Sequence, residues 1–193
     1  RGAVNGYGPG GTNTYIDEGT ATGSGYGGRG GAVSPQYESR LGGPTYGSVS
    51  APADPGSGGA NSAFNFGGGA VSIVAGGAVR VDGTITADGV FKSEHGAGAG
   101  SGGSVFITCA TFSGTGLVSA DGGESSRRNL TGGGGGGRVA VVYTDEAAQS
   151  ASVGVRFTLA GGLGSVFDYY PDPFAGYGDL GTLYLSGHKF LPA

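Results

Sequence analysis

Hydrophobic residues in this chain alternate with small or polar ones in short runs, and the runs recur. Val71 and Ile73 in AVSIV, Val105 and Ile107 in SVFIT, and Val139 and Val141 in RVAVV each follow a glycine run, and one constant interval separates the three pairs. Alternation with a period of two over about five residues is the pattern of a half-buried β-strand. GTLYLSG at 181–187 repeats it after a longer interval and places Leu183 and Leu185 in the same positions. Self-similarity at a fixed period of this size predicts stacked repeats. The core then holds two ladders, Val71, Val105, Val139 and Leu183 beside Ile73, Ile107, Val141 and Leu185. Successive members lie about 4.8 Å apart.

A second series supports the same reading. DGTITADG at 82–89 and GLVSADGG at 116–123 put Ile85 with Val118, and Ala87 with Ala120, on another face at nearly the same interval. VGVRFTLAGG at 153–162 comes six or seven residues late, and Val155, Phe157 and Leu159 read as out of parity with the earlier copies. An insertion at 144–152 explains the delay. No window shows a helical period of 3.6, and only Asp145–Gln149 suits a single helical turn at a corner. The fold expected is therefore all-β: a right-handed parallel β-helix, or β-solenoid, of about four rungs within residues 67–193. Short strands between Gly and Pro turns would also fit a β-sandwich, which stands as the alternative.

Residues 1–31 carry only Val4 and Ile16 as larger aliphatic side chains and cannot build a core, so they are expected as a glycine-rich extended arm laid on another surface. Residues 32–66 contain Ser34-Pro35, Gly43-Pro44, Ala51-Pro52 and Asp54-Pro55-Gly56, the turn chemistry of a cap or lateral cover. The glycines are expected to supply positive φ at sharp corners. The run Gly132–Gly137 before Arg138 reads as one such corner, flexible or tightly folded, because a phosphate-binding loop would need Gly-Lys-Ser/Thr opening a helix.

Composition changes the picture in three ways. Forty-eight glycines and 8 prolines among 193 residues would suggest disorder in an aperiodic chain, and only the periodicity argues against it. Charged residues make up 12 % of the chain, with a net charge of −4 and 10 Lys and Arg in all, so there is no basic stripe for nucleic acid. No run of about 18 apolar residues exists, so no membrane insertion is expected. The chain opens on Arg1, without Met or Trp, and has a single Cys109. It reads as a processed piece of extracellular or cell-surface material, with Cys109 a small buried thiol.

Candidate chemistry is sparse. Asp88 and Asp121 both lie in Ala-Asp-Gly turns on adjacent repeats, near the separation at which a retaining glycosidase holds its two carboxylates. Glu94, His95 and Arg127 lie in the loops that follow, and Tyr169, Tyr170, Phe174 and Tyr177 could stack on a sugar. An Asp-Gly pair also simply ends a strand with a tight turn, and that reading is preferred, so no catalytic residue is assigned. Calcium is the only cofactor the acidic turns would suit, yet neither the β-roll nonapeptide nor an EF-hand loop occurs. One Cys and two His (His95, His188) show no zinc-ligand spacing, so no metal ligand is assigned. Asn129-Leu130-Thr131 is an N-glycosylation sequon, making Asn129 a candidate acceptor.

GYGGRGG, YGSVSAPADPGSGG, GGAVSI, DGTITADG, GGSVFIT, SADGG and GGGGGGRVAVVY follow one another from residue 25 to residue 143. In these motifs the chain resembles large, secreted, glycine-rich repeat proteins of bacteria, algae, plants and other eukaryotes. The resemblance implies a parallel β-helix-like fold in an extracellular or cell-surface structural setting. It transfers no catalytic residue, and YYPDPFAGYG at 169–178 has no counterpart in it.

The function expected is a structural subunit of an extracellular fibre, filament or surface layer that polymerises with copies of itself. Its arm would dock along a neighbour while residues 182–191 meet the next copy near 67–74. Tyr7, Tyr15, Tyr26, Tyr184, Phe190 and Leu191 are the candidate assembly contacts. The alternative partner is a glycan, bound or cleaved by an adhesin or polysaccharide-degrading enzyme.

Overall fold

A computed structural model describes residues 8–11, 15–17, 20–34, 40–60, 64–90, 97–125, 130–150, 154–165, 174–187 and 189. Its elements are strands: β1 (Tyr15–Asp17), β2 (Thr20–Ala21), β3 (Val33–Ser34), β4 (Ala70–Val74), β5 (Val79–Val81), β6 (Thr84–Thr86), β7 (Ser104–Cys109), β8 (Phe112–Gly114), β9 (Leu117–Ser119), β10 (Leu130–Thr131), β11 (Arg138–Tyr143), β12 (Arg156–Thr158), β13 (Phe174–Ala175) and β14 (Thr182–Leu185). The class is all-β, with no helix among the described residues. Asp145–Gln149 makes one hydrogen-bonded turn, in which Gln149 N–H donates to the Asp145 carbonyl and Ala148 N–H to Asp145 Oδ1.

The larger sheets are parallel. One runs β14-β11-β7-β4, another β12-β9-β6, and β5 pairs with β8 in a third. Parallel neighbours need long connections rather than hairpins. That removes the hairpin-joined antiparallel sandwich as a description of these sheets. Among the described residues antiparallel pairing joins β1 with β2 and β3 with β13, and Val33 makes an isolated antiparallel bridge to Arg40.

In the four-stranded sheet Val71, Val105, Val139 and Leu183 lie in one register, with Ile73, Ile107, Val141 and Leu185 in another. Val105, Ile107, Val139 and Val141 are fully buried, facing Phe112, Val118 and Ala120 across one core. Burying each such aliphatic side chain contributes about 1.5–3 kcal/mol. Both faces of β11 are covered, since Ala140, opposite in parity to Val139 and Val141, is also fully buried.

The parity expected for the third copy is corrected. Phe157 pairs with Val118, and Val118 with Ile85, so Val155, Phe157 and Leu159 face the same core as the earlier copies. The step from Val118 to Phe157 is longer than the step from Ile85 to Val118, and the excess is an even number. An even insertion leaves the side-chain alternation intact, whereas an odd one would have turned the strand over.

Two expectations about glycine are corrected as well. Only Gly8, Gly47 and Gly114 have positive φ among the described residues, so corner geometry does not explain the glycine content. The run Gly132–Gly137 is a buried segment rather than a corner. Its N–H groups donate in turn to Ala21, Gly176, Gly123, Ser24, Asp179 and Ala120. Its carbonyls accept in turn from Ala99, Gly31, Gly162, Gly102, Gly28 and Thr182. Partners thus rotate with a period of three, the periodicity of a polyproline II helix, among segments near 21–24, 28–31, 99–102, 120–123 and 176–179, and the remaining carbonyls, of Gly134 and Gly137, accept from Gly162 and Thr182. Six backbones crowd round one, and a Cβ at any of these six positions would overlap a neighbouring main-chain carbonyl. Residues 98–103 repeat the scheme, donating in turn to Ala60, Gly132, Val90, Ser57, Gly135 and Ala87.

Residues 20–31 belong to this glycine bundle, so this part of 1–31 is laid against its own chain. β2 pairs in parallel with β10, and Ala21, Thr22, Ser24 and Tyr26 are fully buried. The segment lacks aliphatic side chains because it packs by backbone contact.

Candidate functional site

The two Ala-Asp-Gly carboxylates tie neighbouring repeats together. Asp88 Oδ1 accepts the backbone N–H of Asp121 at 2.8 Å and the hydroxyl of Ser119, and its Oδ2 accepts the hydroxyl of Thr86. Asp121 Oδ1 accepts the backbone N–H of Ala160 at 2.7 Å. Asp82 follows the same rule, its Oδ1 accepting Thr115 N–H at 3.2 Å. The Arg80 guanidinium bonded to Asp82 holds that carboxyl below the usual range, and Asp82 in turn raises Arg80. Each carboxylate therefore satisfies a main-chain donor one repeat further on. The signal in the sequence was the recurrence of Ala-Asp-Gly at the interval of the local repeat.

Of the residues suggested for a glycan site, Asp88 and Asp121 are neighbours, with the Ser119 hydroxyl reaching both carboxylates, while Tyr177 lies apart from them. A groove of about 260 Å³ at the first repeat is lined by Phe66, Gly67, Gly69, Thr86, Ala87, Asp88 and Val90, and Asp121 is not among them. Tyr177 precedes β14, at the far edge of the sheet that begins with β4. Three strand spacings, roughly 14 Å, separate those edges. Tyr169, Tyr170, Asn129, Glu94, His95, Arg127 and His188 lie outside the described residues. Among the described residues no group of three or more His, Cys, Asp or Glu could hold a metal ion, and no helix is long and apolar enough to cross a membrane. Cys109 is buried, and burial pushes its thiol pKa up.

A buried polar cluster was not foreseen. Arg138, at the start of β11, is 5 % exposed, and its Nε donates to the Tyr46 carbonyl at 2.9 Å and Nη1 to Thr182 Oγ1 at 2.9 Å. Its guanidinium lies 5.4 Å from the ring centroid of Tyr26, whose ring is 4.6 Å from that of Tyr46. Tyr46 donates to the Pro55 carbonyl at 2.6 Å and accepts from Ser57 Oγ at 3.0 Å. Burial pushes the Tyr26 phenol up and the Tyr46 phenol up to about 12. This cluster joins the glycine bundle to the sheet. Tyr26 is accordingly removed from the assembly contacts, because its ring is spent inside its own chain.

The remaining assembly candidates divide by position. Tyr184 is half-buried on β14; Tyr15 lies in β1; Tyr7, Phe190 and Leu191 lie outside the described residues. The sheet ends on β4 at one edge and β14 at the other. Near β4, Val74 is 78 % and Phe64 61 % exposed; near β14, Leu180 is 75 %, Tyr177 65 % and Leu183 41 % exposed. Sequence reasoning missed Phe64 and Leu180, since an apolar residue outside a regular repeat carries no directional signal, and Val74, which ends β4 on the parity opposite to Val71 and Ile73. The chain matches no protein-family model, and neither a curated protein nor a solved structure is similar to it.

Proposed function

We propose that this protein is a structural subunit of an extracellular fibre, filament or surface layer, a right-handed parallel β-solenoid braced by its glycine bundle. It assembles with copies of itself. The observation that carries the reading is the contrast between a saturated interior and two unfinished ends. Inside, backbone donors and acceptors are consumed segment by segment. Among the described residues no further strand pairs with β4 or β14, and large apolar side chains stand exposed near both in the sequence. Open edges of that kind pair with further chains unless they are blocked, and a joint between unlike ends propagates instead of closing on itself. The resemblance to secreted glycine-rich repeat proteins points to the same extracellular setting.

The glycan reading has less support, because Asp88 and Asp121 are each engaged in main-chain hydrogen bonds. The test is electron microscopy and sedimentation of the purified chain over a concentration series. Filaments or sheets are expected; a particle that stays monomeric at the highest concentration reached would refute the proposal.

A further inference from the structure

Asp-Gly occurs in this chain at 82–83, 88–89 and 121–122, and the fold treats the pairs differently. Such a peptide is chemically fragile, because glycine puts no side chain in the way of its own nitrogen, which can reach the aspartate carboxyl and close a cyclic imide. Closure requires the nitrogen to be free of an acceptor, the peptide plane to turn, and the carboxyl to leave its partners.

At Asp88 and Asp121 the fold opposes every one of these. Gly89 N–H donates to the Asp121 carbonyl at 2.8 Å and Gly122 N–H to the Ala160 carbonyl at 2.8 Å, so both nitrogens are rungs between repeats. Neither plane has room to turn. A Cβ at Gly89 would overlap the carbonyls of Gly100 and Ser101, and one at Gly122 the carbonyl of Gly134. The carboxylates are pinned by the main-chain N–H groups of Asp121 at 2.8 Å and Ala160 at 2.7 Å.

The pair at the corner between β5 and β6 is built otherwise. Among the described residues neither the Asp82 carbonyl nor the Gly83 N–H makes a hydrogen bond. The carbonyls on either side do: Val81 accepts from Gly116 at 2.8 Å and Gly83 from Leu117 at 2.9 Å. A Cβ on Gly83 would meet nothing within 4 Å. The Asp82 side chain is 49 % exposed, and Oδ1 accepts the Thr115 N–H at 3.2 Å and hydroxyl at 3.3 Å, longer than the main-chain bonds of Asp88 and Asp121. Its other partner, Arg80, is 67 % exposed, and an ion pair in water holds weakly. The peptide is anchored on both sides and free in the middle, so it can turn without breaking a rung.

We infer that Asp82-Gly83 is a site of spontaneous isomerisation, where this protein converts aspartate to isoaspartate while Asp88 and Asp121 stay intact. The Gly83 nitrogen attacks Asp82 Cγ and a C–N bond forms. One carboxyl oxygen leaves as water, carrying the amide proton and a proton from solvent. Water then adds to the imide at either carbonyl. Addition at the main-chain carbonyl of Asp82 breaks its bond to the Gly83 nitrogen, so the chain runs on through Cγ and the old main-chain carbon becomes the free carboxylate. No oxidant, metal or second protein takes part. The product moves the charge away from Thr115 at an exposed corner, and the chain stays folded.

The experiment holds the full chain for several weeks in warm neutral buffer. It is then digested with a protease that cuts before aspartate and not before isoaspartate, and the peptides are separated by chromatography. In the folded chain isoaspartate should build up at 82 about tenfold or more faster than at 88 or 121, each of which must first release a backbone hydrogen bond. In concentrated urea the three pairs should convert at similar rates, because the fold no longer distinguishes them. Gly83→Ala, at a position with open space, should melt as the parent does and convert severalfold more slowly at 82. Equal rates at 82 and 88 in the folded chain would overturn the inference, as would an Asp82 that converts in urea and stays intact when folded.

Discussion

The side-chain amide of Gln149 hydrogen-bonds Phe112 in both directions. Phe112 N–H donates to Gln149 Oε1 at 2.8 Å and Gln149 Nε2 donates to the Phe112 carbonyl at 2.8 Å. The carboxamide thus imitates a neighbouring peptide and closes the outer edge of β8, where the insertion before β12 has displaced the next strand. Gln149 is 3 % exposed and Phe112 fully buried, so neither group of Phe112 could turn to water.

Gln149→Ala should therefore lower stability by about 1–3 kcal/mol, the cost of leaving buried backbone groups unpaired. Gln149→Glu should be no better, because a carboxylate would face the Phe112 carbonyl without a donor. Urea unfolding of the three proteins measures this; equal midpoints would show that the bracket adds nothing.

Glycine substitutions should split into two classes by surroundings. A Cβ at Gly134 would overlap the Gly100 carbonyl, so Gly134→Ala should prevent folding or leave a molten product. Gly77 has open space around it and no positive φ. Gly77→Ala should be neutral or stabilise by about 0.4–1 kcal/mol through the unfolded chain. Soluble yield and thermal midpoint distinguish the two, and a tolerated Gly134→Ala would contradict the close-packed bundle.

Ile107→Asp should abolish folding, since it places an unpaired charge among Val105, Val139 and Val141 at a cost of several kcal/mol. Ser72→Asp lies on the exposed parity of the edge strand and should be tolerated. Circular dichroism of the purified variants decides, and comparable damage from both would mean that the outer face of β4 is covered in the assembled protein.

Alkaline pH should destabilise the fold. Burial raises Tyr26 and takes Tyr46 to about 12, above the ordinary tyrosine value near 10. Between those values the unfolded chain has released protons that the folded one retains, so stability is full below about pH 10 and falls as pH rises towards 12. Tyr46→Phe should flatten that fall. Denaturant midpoints across the range test it, and an unchanged slope in the variant would remove Tyr46 as the cause.

Residues such as Val71, Ile107 and Val141 were legible in the sequence because alternation of side chains along a strand encodes which face is buried, and a constant interval encodes which strand lies beside it. The repeat and the parallel pairing it requires follow from that code, whereas the hydrogen bonds by which Asp88 and Asp121 reach the next repeat do not. The place of Gly132–Gly137 and of residues 20–31 does not. A glycine has no side chain to mark a face, and a segment that can accept backbones on every side says nothing about which ones arrive. Arg138 meets Tyr26, and Gln149 meets Phe112, across long stretches of chain because the folded stack brings them together. Leu180 shows the two levels meeting: the letter was always visible, but only the aligned repeats reveal that it stands in register with Gly68, Gly102 and Gly136, which must be glycine.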